Sequence, residues 1–265
     1  MVKSIHQAFQ EAREAGRAAL MPYLTLGYPD VETSLAAAEA IAPHCDLMEL
    51  GVPFSDPLAD GPTVQHSTQV ALENGVTSRD CLEIVRRLRQ RGVEIPIMLL
   101  GYYNPILAFG EDAYAEACAT AGVNGLIVPD LPPEEGKNLI EALKRYGLDM
   151  IYFLAPTSSE SRIKAVVEQA TGFVYMVAVT GVTGARSRVE DSLQAFVTRV
   201  KAQTDLPIAV GFGISTPEHA REVSGFADGV IVGSALINWM DAADDDPVRA
   251  GADFVKLLRT GVQRT

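Results

Sequence analysis

Short apolar runs rich in branched side chains recur along the chain at 20–26, 45–50, 95–101, 125–129, 149–155, 173–179, 207–211 and 229–233. They lack strict polar–apolar alternation, so each reads as a strand buried on both faces. The segments between them read as amphipathic helices with recognisable starts and stops. Thr77 and Asp80 have capping-box spacing ahead of Leu82, Val85 and Leu88 on one face, and Gly92 ends that helix. Pro132-Pro133-Glu134-Glu135 predicts the start of another helix, closed by Gly147. Thr157 and Glu160 repeat the capping-box spacing, and Thr216-Pro217-Glu218 opens a later helix.

Eight strands alternating with helices predict an α/β fold, the (β/α)8 TIM barrel, as a single domain over residues 1–265 with an extra N-terminal helix. A doubly wound open sheet shares this periodicity, because closure leaves no mark on it. The gap from Gly51 to Glu94 exceeds one loop and one helix, which predicts an insertion after the second strand; a longer loop follows the sixth. No linker-like stretch divides the chain, and the acidic run at 241–246 reads as a solvated loop.

Apolar residues make up 48% and charged residues 21% of the 265 positions, as expected of a globular protein with a sizeable core. A net charge of −12 argues against nucleic acid or an anionic membrane as partner. Cys45, Cys81 and Cys118 are odd in number and widely spaced, with no CxxC or Cys/His cluster. They support neither a disulfide framework nor a zinc site, and fit a reducing cytoplasm. The first residues lack the apolar core of a signal peptide, and no apolar run reaches membrane-spanning length.

In such a barrel, chemistry gathers at the C-terminal ends of strands. The second strand ends at Glu49, which alternates with Leu47 toward the barrel axis. Desolvation there raises a carboxyl pKa, as suits a group that donates and accepts protons near neutrality. The competing reading pairs Glu49 with a cation, but no basic residue lies in nearby strand ends. Asp56 and Asp60 follow on a loop restrained by Pro53, Pro57, Gly61 and Pro62; spacing does not separate them. Gly211-Phe212-Gly213 after the seventh strand, and Gly233-Ser234 after the eighth, match the phosphate-binding position of these barrels. Thr180-Gly181-Val182-Thr183-Gly184 has the make-up of a hinged lid. Tyr102, Tyr175 and Phe212 sit near strand ends, where they line a pocket or fill core. The lysines beyond the first few residues lie in helical segments, against a Schiff base or bound pyridoxal phosphate, and the histidines lack metal-ligand spacing.

Leu50-Gly51-Val52-Pro53-Phe54-Ser55-Asp56-Pro57-Leu58-Ala59-Asp60-Gly61-Pro62 resembles the signature of the tryptophan synthase alpha chain family. The likeness extends to residues 23–29, 181–186, 211–215 and 233–235, in the family's order and across most of the chain. It implies retro-aldol cleavage of indole-3-glycerol phosphate to indole and D-glyceraldehyde 3-phosphate. By the same resemblance Glu49 is the general acid–base and Asp60 meets the indole N–H, while Asp56 and Pro53 serve coupling to a partner. Tyr23, Leu100, Tyr102, Tyr175, Thr183 and Phe212 match substrate-binding positions. Gly184, Gly213, Gly233 and Ser234 match phosphate-binding ones. The family works with a beta chain that holds pyridoxal phosphate, in an α2β2 tetramer, so no cofactor and no metal are expected in this chain. Docking is expected around Pro53, Phe54 and Pro57. Two departures stand out: Tyr23 replaces a frequent phenylalanine, and residues 65–68 match loosely. A stand-alone lyase without a beta partner, a phosphosugar isomerase and a catalytically idle subunit are the competing readings.

Overall fold

Every apolar run forms a strand, and the eight strands pair in parallel in chain order until the last meets the first, closing the barrel. The computed structural model describes residues 2–177, 186–211, 213–243 and 245–264, with the side chains of 186–191 left aside. Helix α1 (Ile5–Glu14) precedes β1 (Ala19–Thr25), and α2 (Val31–Ile41) leads to β2 (Met48–Gly51). Helices α3 (Pro62–Glu73) and α4 (Ser78–Gln90) both precede β3 (Ile97–Leu100), so the insertion after the second strand is a helix. A further doubling, unforeseen in the sequence, places α5 (Tyr103–Phe109) and α6 (Glu111–Ala121) before β4 (Gly125–Ile127). Then follow α7 (Lys137–Tyr146), β5 (Asp149–Leu154), α8 (Glu160–Gln169) and β6 (Val174–Val177). The chain ends with α9 (Arg186–Lys201), β7 (Ile208–Gly211), α10 (Pro217–Ser224), β8 (Gly229–Val232), α11 (Ser234–Asp241) and α12 (Pro247–Arg259). The insertion expected after β6 falls at 178–185, outside the described residues.

Two helix starts differ from expectation. Residues 132–136 form turns, with the Glu135 amide donating to the Pro132 carbonyl at 3.0 Å, and α7 begins only after Gly136. Helix α8 is capped by Ser159, not Thr157, because the chain turns until Ser158 donates its amide to the Ala155 carbonyl at 2.8 Å. The capping box at Thr77 and the Thr216 cap form as expected. Asp246, in the acidic run, is exposed as expected and also caps α12.

Alternating strand residues divide the core in two. Leu20, Leu24, Met48, Leu50, Ile97 and Leu99 face the helices, whereas Met21, Tyr23, Leu47, Met98, Leu100 and Ile151 fill the barrel. Helix α1 plugs the N-terminal end: Ile5, Ala8, Phe9 and Ala12 join the inner cluster, and Phe9 packs on Phe173 at 5.6 Å. At that end Asp46 binds Arg17 through two bonds of 2.6 and 2.8 Å and Arg259 through one of 2.5 Å. The opposite end is left for chemistry. Among the described residues no helix is long and apolar enough to cross a membrane.

Candidate active site

Tyr23, Glu49 and Met98 stand side by side across β1, β2 and β3, and inward alternation carries the Glu49 carboxyl into the barrel. Only 1% of Glu49 is exposed, and its Oε2 has no hydrogen-bond partner. Burial is the main cause that pushes its pKa up to about 8; the neighbouring Asp60 carboxylate adds to it. Asp60 lies at the end of the loop after β2, immediately before α3. Partial burial raises its pKa too, but Tyr102 opposes this by donating its hydroxyl to Oδ2 at 3.1 Å. Tyr102 also accepts the Ala59 amide at 2.9 Å and packs on Phe54 with ring centroids 5.2 Å apart. The loop that carries Asp60 is thereby pinned to the end of β3.

Two inward glycines make room for the phenols beside this pair. A Cβ on Gly51 would stand 2.1 Å from the Tyr23 hydroxyl, and one on Gly211 would stand 2.7 Å from that of Tyr175. Both contacts are far inside van der Waals range, so any side chain there would expel the ring. With glycine, Tyr23 leans over β2 and Tyr175 over β7, and both face Glu49 from the barrel wall.

The chamber above these groups holds about 380 Å³ and is lined by Glu49, Asp60, Tyr23, Leu100 and Tyr175 on one side. Gly213, Gly233 and Ser234 line the other side. Gly213 takes φ +48°, a conformation that favours glycine. Helix α11 starts at Ser234 with no side-chain cap, so its first amides and its dipole are available to an anion. No Lys, Arg or His lines the chamber among the described residues. The arrangement offers a buried acid, a carboxylate fixed by a phenol, an apolar floor and an anion site made of backbone.

Residues 9–261 match the sequence model of the family described as tryptophan synthase alpha chain. The tryptophan synthase alpha chain of Roseiflexus sp. (strain RS-1) is 50% identical over 257 residues, covering 96% of this chain and 98% of the relative. That of Chloroflexus aggregans is 47% identical over 262 residues, covering 98% of each. The chain belongs to the tryptophan synthase alpha chain family. A tryptophan synthase structure from M. tuberculosis superposes with TM-score 0.90 at 38% identity, covering 99% of this chain and 100% of that chain. As a tryptophan synthase alpha chain it is a lyase that cleaves indole-3-glycerol phosphate in tryptophan biosynthesis.

Of the residues singled out from the sequence, Glu49, Asp60, Tyr23, Leu100, Tyr175, Gly213, Gly233 and Ser234 all line the chamber, and Tyr102 adjoins it through Asp60. Thr183, Gly184 and Phe212 lie outside the described residues. Asp56 is exposed and accepts the Ser55 hydroxyl at 2.6 Å, away from the chamber lining. Pro53 is buried, so it shapes the loop from beneath and is not on its surface. Sequence reasoning missed Val64 and Asn238. Val64 lies four positions after Asp60 and Asn238 four positions after Ser234, and an apolar or amide residue at that distance was the available signal. A second cavity of about 400 Å³, lined by Tyr28, His66 and Asp241 among others, holds neither member of the carboxylate pair.

Proposed function

We propose that cleavage runs on the Glu49–Asp60 pair, without a cofactor in this chain, and yields indole and D-glyceraldehyde 3-phosphate. The buried, unpartnered Glu49 carboxyl is the observation that carries this reading. With its pKa near 8, Glu49 is protonated at neutral pH and gives its proton to indole C3. The ring becomes an iminium-like cation, and the Asp60 carboxylate, whose ionised form the Tyr102 hydroxyl favours, stabilises the positive charge at the indole N–H. The Glu49 carboxylate then takes the proton of the glycerol hydroxyl next to the ring. The hydroxyl oxygen becomes the aldehyde, the C–C bond breaks, and its electron pair returns to the ring to release neutral indole. Glu49 ends protonated, so protons balance. The protonated ring is its own electron sink, so the reaction needs no lysine.

Gly213, Gly233 and Ser234, with the start of α11, hold the phosphate. Leu100, Tyr23 and Tyr175 border the indole; Thr183, Gly184 and Phe212 join them by the family resemblance. We further propose a cytoplasmic enzyme that pairs with a beta chain carrying pyridoxal phosphate, as an α2β2 tetramer, with Asp56 and the Pro53 loop serving the coupling. Leu58, 93% exposed on the loop after β2, and Leu107, 54% exposed on α5, support a docking face at the chamber end of the barrel. Replacing Glu49 by Gln tests the mechanism. Indole release from indole-3-glycerol phosphate should fall by at least about a thousandfold, with circular dichroism unchanged; near-normal turnover would remove Glu49 from this role.

A further inference from the structure

The loop that carries Asp60 joins helix α3 at a place with little of its own to hold it. Asp60 is followed by Gly61, the N-cap of α3, and by Pro62. No side chain caps the helix there, a Cβ on Gly61 would meet open space, and Pro62 has no amide hydrogen. Gln65 spans this joint. Its backbone amide donates to the Gly61 carbonyl at 2.9 Å, and its side-chain Nε2 donates to the Asp60 carbonyl, also at 2.9 Å. One residue thus grips two successive carbonyls, the first of them belonging to a carboxylate residue of the chamber. Gln65 is exposed and stands in the 65–68 stretch where the family resemblance is loose, so that resemblance assigns it no role.

We propose that Gln65 is a positioning residue that aims Asp60 through its backbone. The inference rests on the reading of Asp60 as the group that meets the indole N–H. Tyr102 donates to Asp60 Oδ2 and accepts the Ala59 amide, and the Asp60 amide donates to the Pro57 carbonyl at 3.1 Å. These bonds tie Asp60 to the end of β3 and to its own loop, whereas Gln65 ties it to α3, whose Val64 lines the chamber. A carboxylate held at one oxygen can still pivot about that bond. Fixing the carbonyl of the same residue limits the pivot and keeps the second oxygen pointed at the substrate nitrogen. Charge at that nitrogen develops only as C3 is protonated, so a misaimed Asp60 weakens the transition state more than it weakens substrate binding. The phosphate end, read onto Gly213, Gly233 and Ser234, lies on the other side of the chamber from Asp60.

The test uses the full chain with a tryptophan synthase beta chain present. Gln65→Met keeps the length and helix preference of the side chain and removes the donor. Gln65→Glu keeps its shape and puts an acceptor where the donor was. Gln69, one turn further along α3, is exposed and donates to Glu73 at 2.8 Å, so Gln69→Met controls for the loss of a surface amide on this helix. In both Gln65 variants the rate constant of indole formation, measured in single turnovers at saturation, should fall by about fivefold, the scale of one neutral hydrogen bond. The concentration of indole-3-glycerol phosphate for half-saturation, and the dissociation constant of glycerol phosphate, should change by less than about twofold. Melting temperatures should stay within a few degrees of the natural chain. Gln69→Met should match the natural chain throughout. An unchanged rate constant in either folded Gln65 variant overturns the proposal. So does an equal loss of rate in Gln69→Met, or a loss of substrate affinity as large as the loss of rate, since each marks a general role in α3. Should Gln65→Met fail to fold, Gln65→Glu decides alone. Asp60→Asn, assayed alongside, separates the two readings. Near-normal turnover there removes Asp60 from its role and this inference with it, whereas a large loss there beside unaffected Gln65 variants removes the inference alone.

Discussion

Glu49 has no donor on Oε2 and no cation among the described chamber residues, whereas Asp60 has a phenol hydrogen fixed on Oδ2. Burial favours the acid form of both carboxyls, and only Asp60 has a hydrogen bond that opposes it. This has a consequence for pH. Folding raises the Glu49 pKa from an ordinary 4.5 to about 8, so the folded chain binds the extra proton. The stability this group contributes is complete below about pH 4.5 and is lost as pH rises through about 8. A Glu49→Gln variant lacks that loss. Its advantage in denaturant unfolding over the natural chain should grow between about pH 5 and pH 8 and level off above, reaching at most about 5 kcal/mol. Catalysis by the natural chain should fall over the upper part of the same window, as the proton donor disappears. A flat stability difference across this range would refute the buried-acid description.

At the scale of elements, the inward-facing glycines Gly51 and Gly211 matter as much as the residues they serve, because without them neither phenol fits the barrel. Caps provide a sharper check. The sequence pattern points to Thr157 as the start of α8, but Ser159 is the residue that accepts an amide, that of Arg162 at 3.2 Å. Ser159→Ala should therefore destabilise the chain by about 1 kcal/mol, read as a lower melting temperature, while Thr157→Ala should leave it nearly unchanged. The strands were legible because burial on both faces writes an apolar run whose length survives any reading of local propensity. Helix starts were less so. Capping-box spacing at Thr157 is one among several local choices, and the Ala155–Ser158 turn that delays α8 is fixed by backbone geometry. Likewise, alternation after Leu47 placed Glu49 inside the barrel, but nothing in the spacing of Asp56 and Asp60 told them apart. The family resemblance did that, and the distinction is physical. Asp60 meets Tyr102, just beyond the end of β3, whereas the Asp56 carboxylate meets the adjacent Ser55.

Across the whole molecule the two ends of the barrel have opposite tasks. The N-terminal end is closed by α1 and by the Arg17–Asp46–Arg259 cluster, which ties β1 and β2 to the last helix. That leaves the C-terminal end free to carry function, and there apolar side chains reach solvent. Leu58 stands on the loop that ends at Asp60, and Leu107 stands on the helix that follows β3 and Tyr102. A protein docked on these two positions would touch both segments that join at the Asp60–Tyr102 hydrogen bond. Binding there would reinforce that hydrogen bond and so the position of Asp60 in the chamber. Each of Leu58→Asp and Leu107→Asp places a charge in that contact without altering a core position, so the melting temperature should stay within a few degrees of the natural chain. Affinity for a tryptophan synthase beta chain, measured by calorimetry, should fall by about tenfold or more, the loss of a well-buried apolar contact. The rise in indole release on adding beta chain should shrink in parallel at subsaturating beta chain, and saturating amounts should recover it. Unaltered affinity in both variants would move the docking face elsewhere on the barrel.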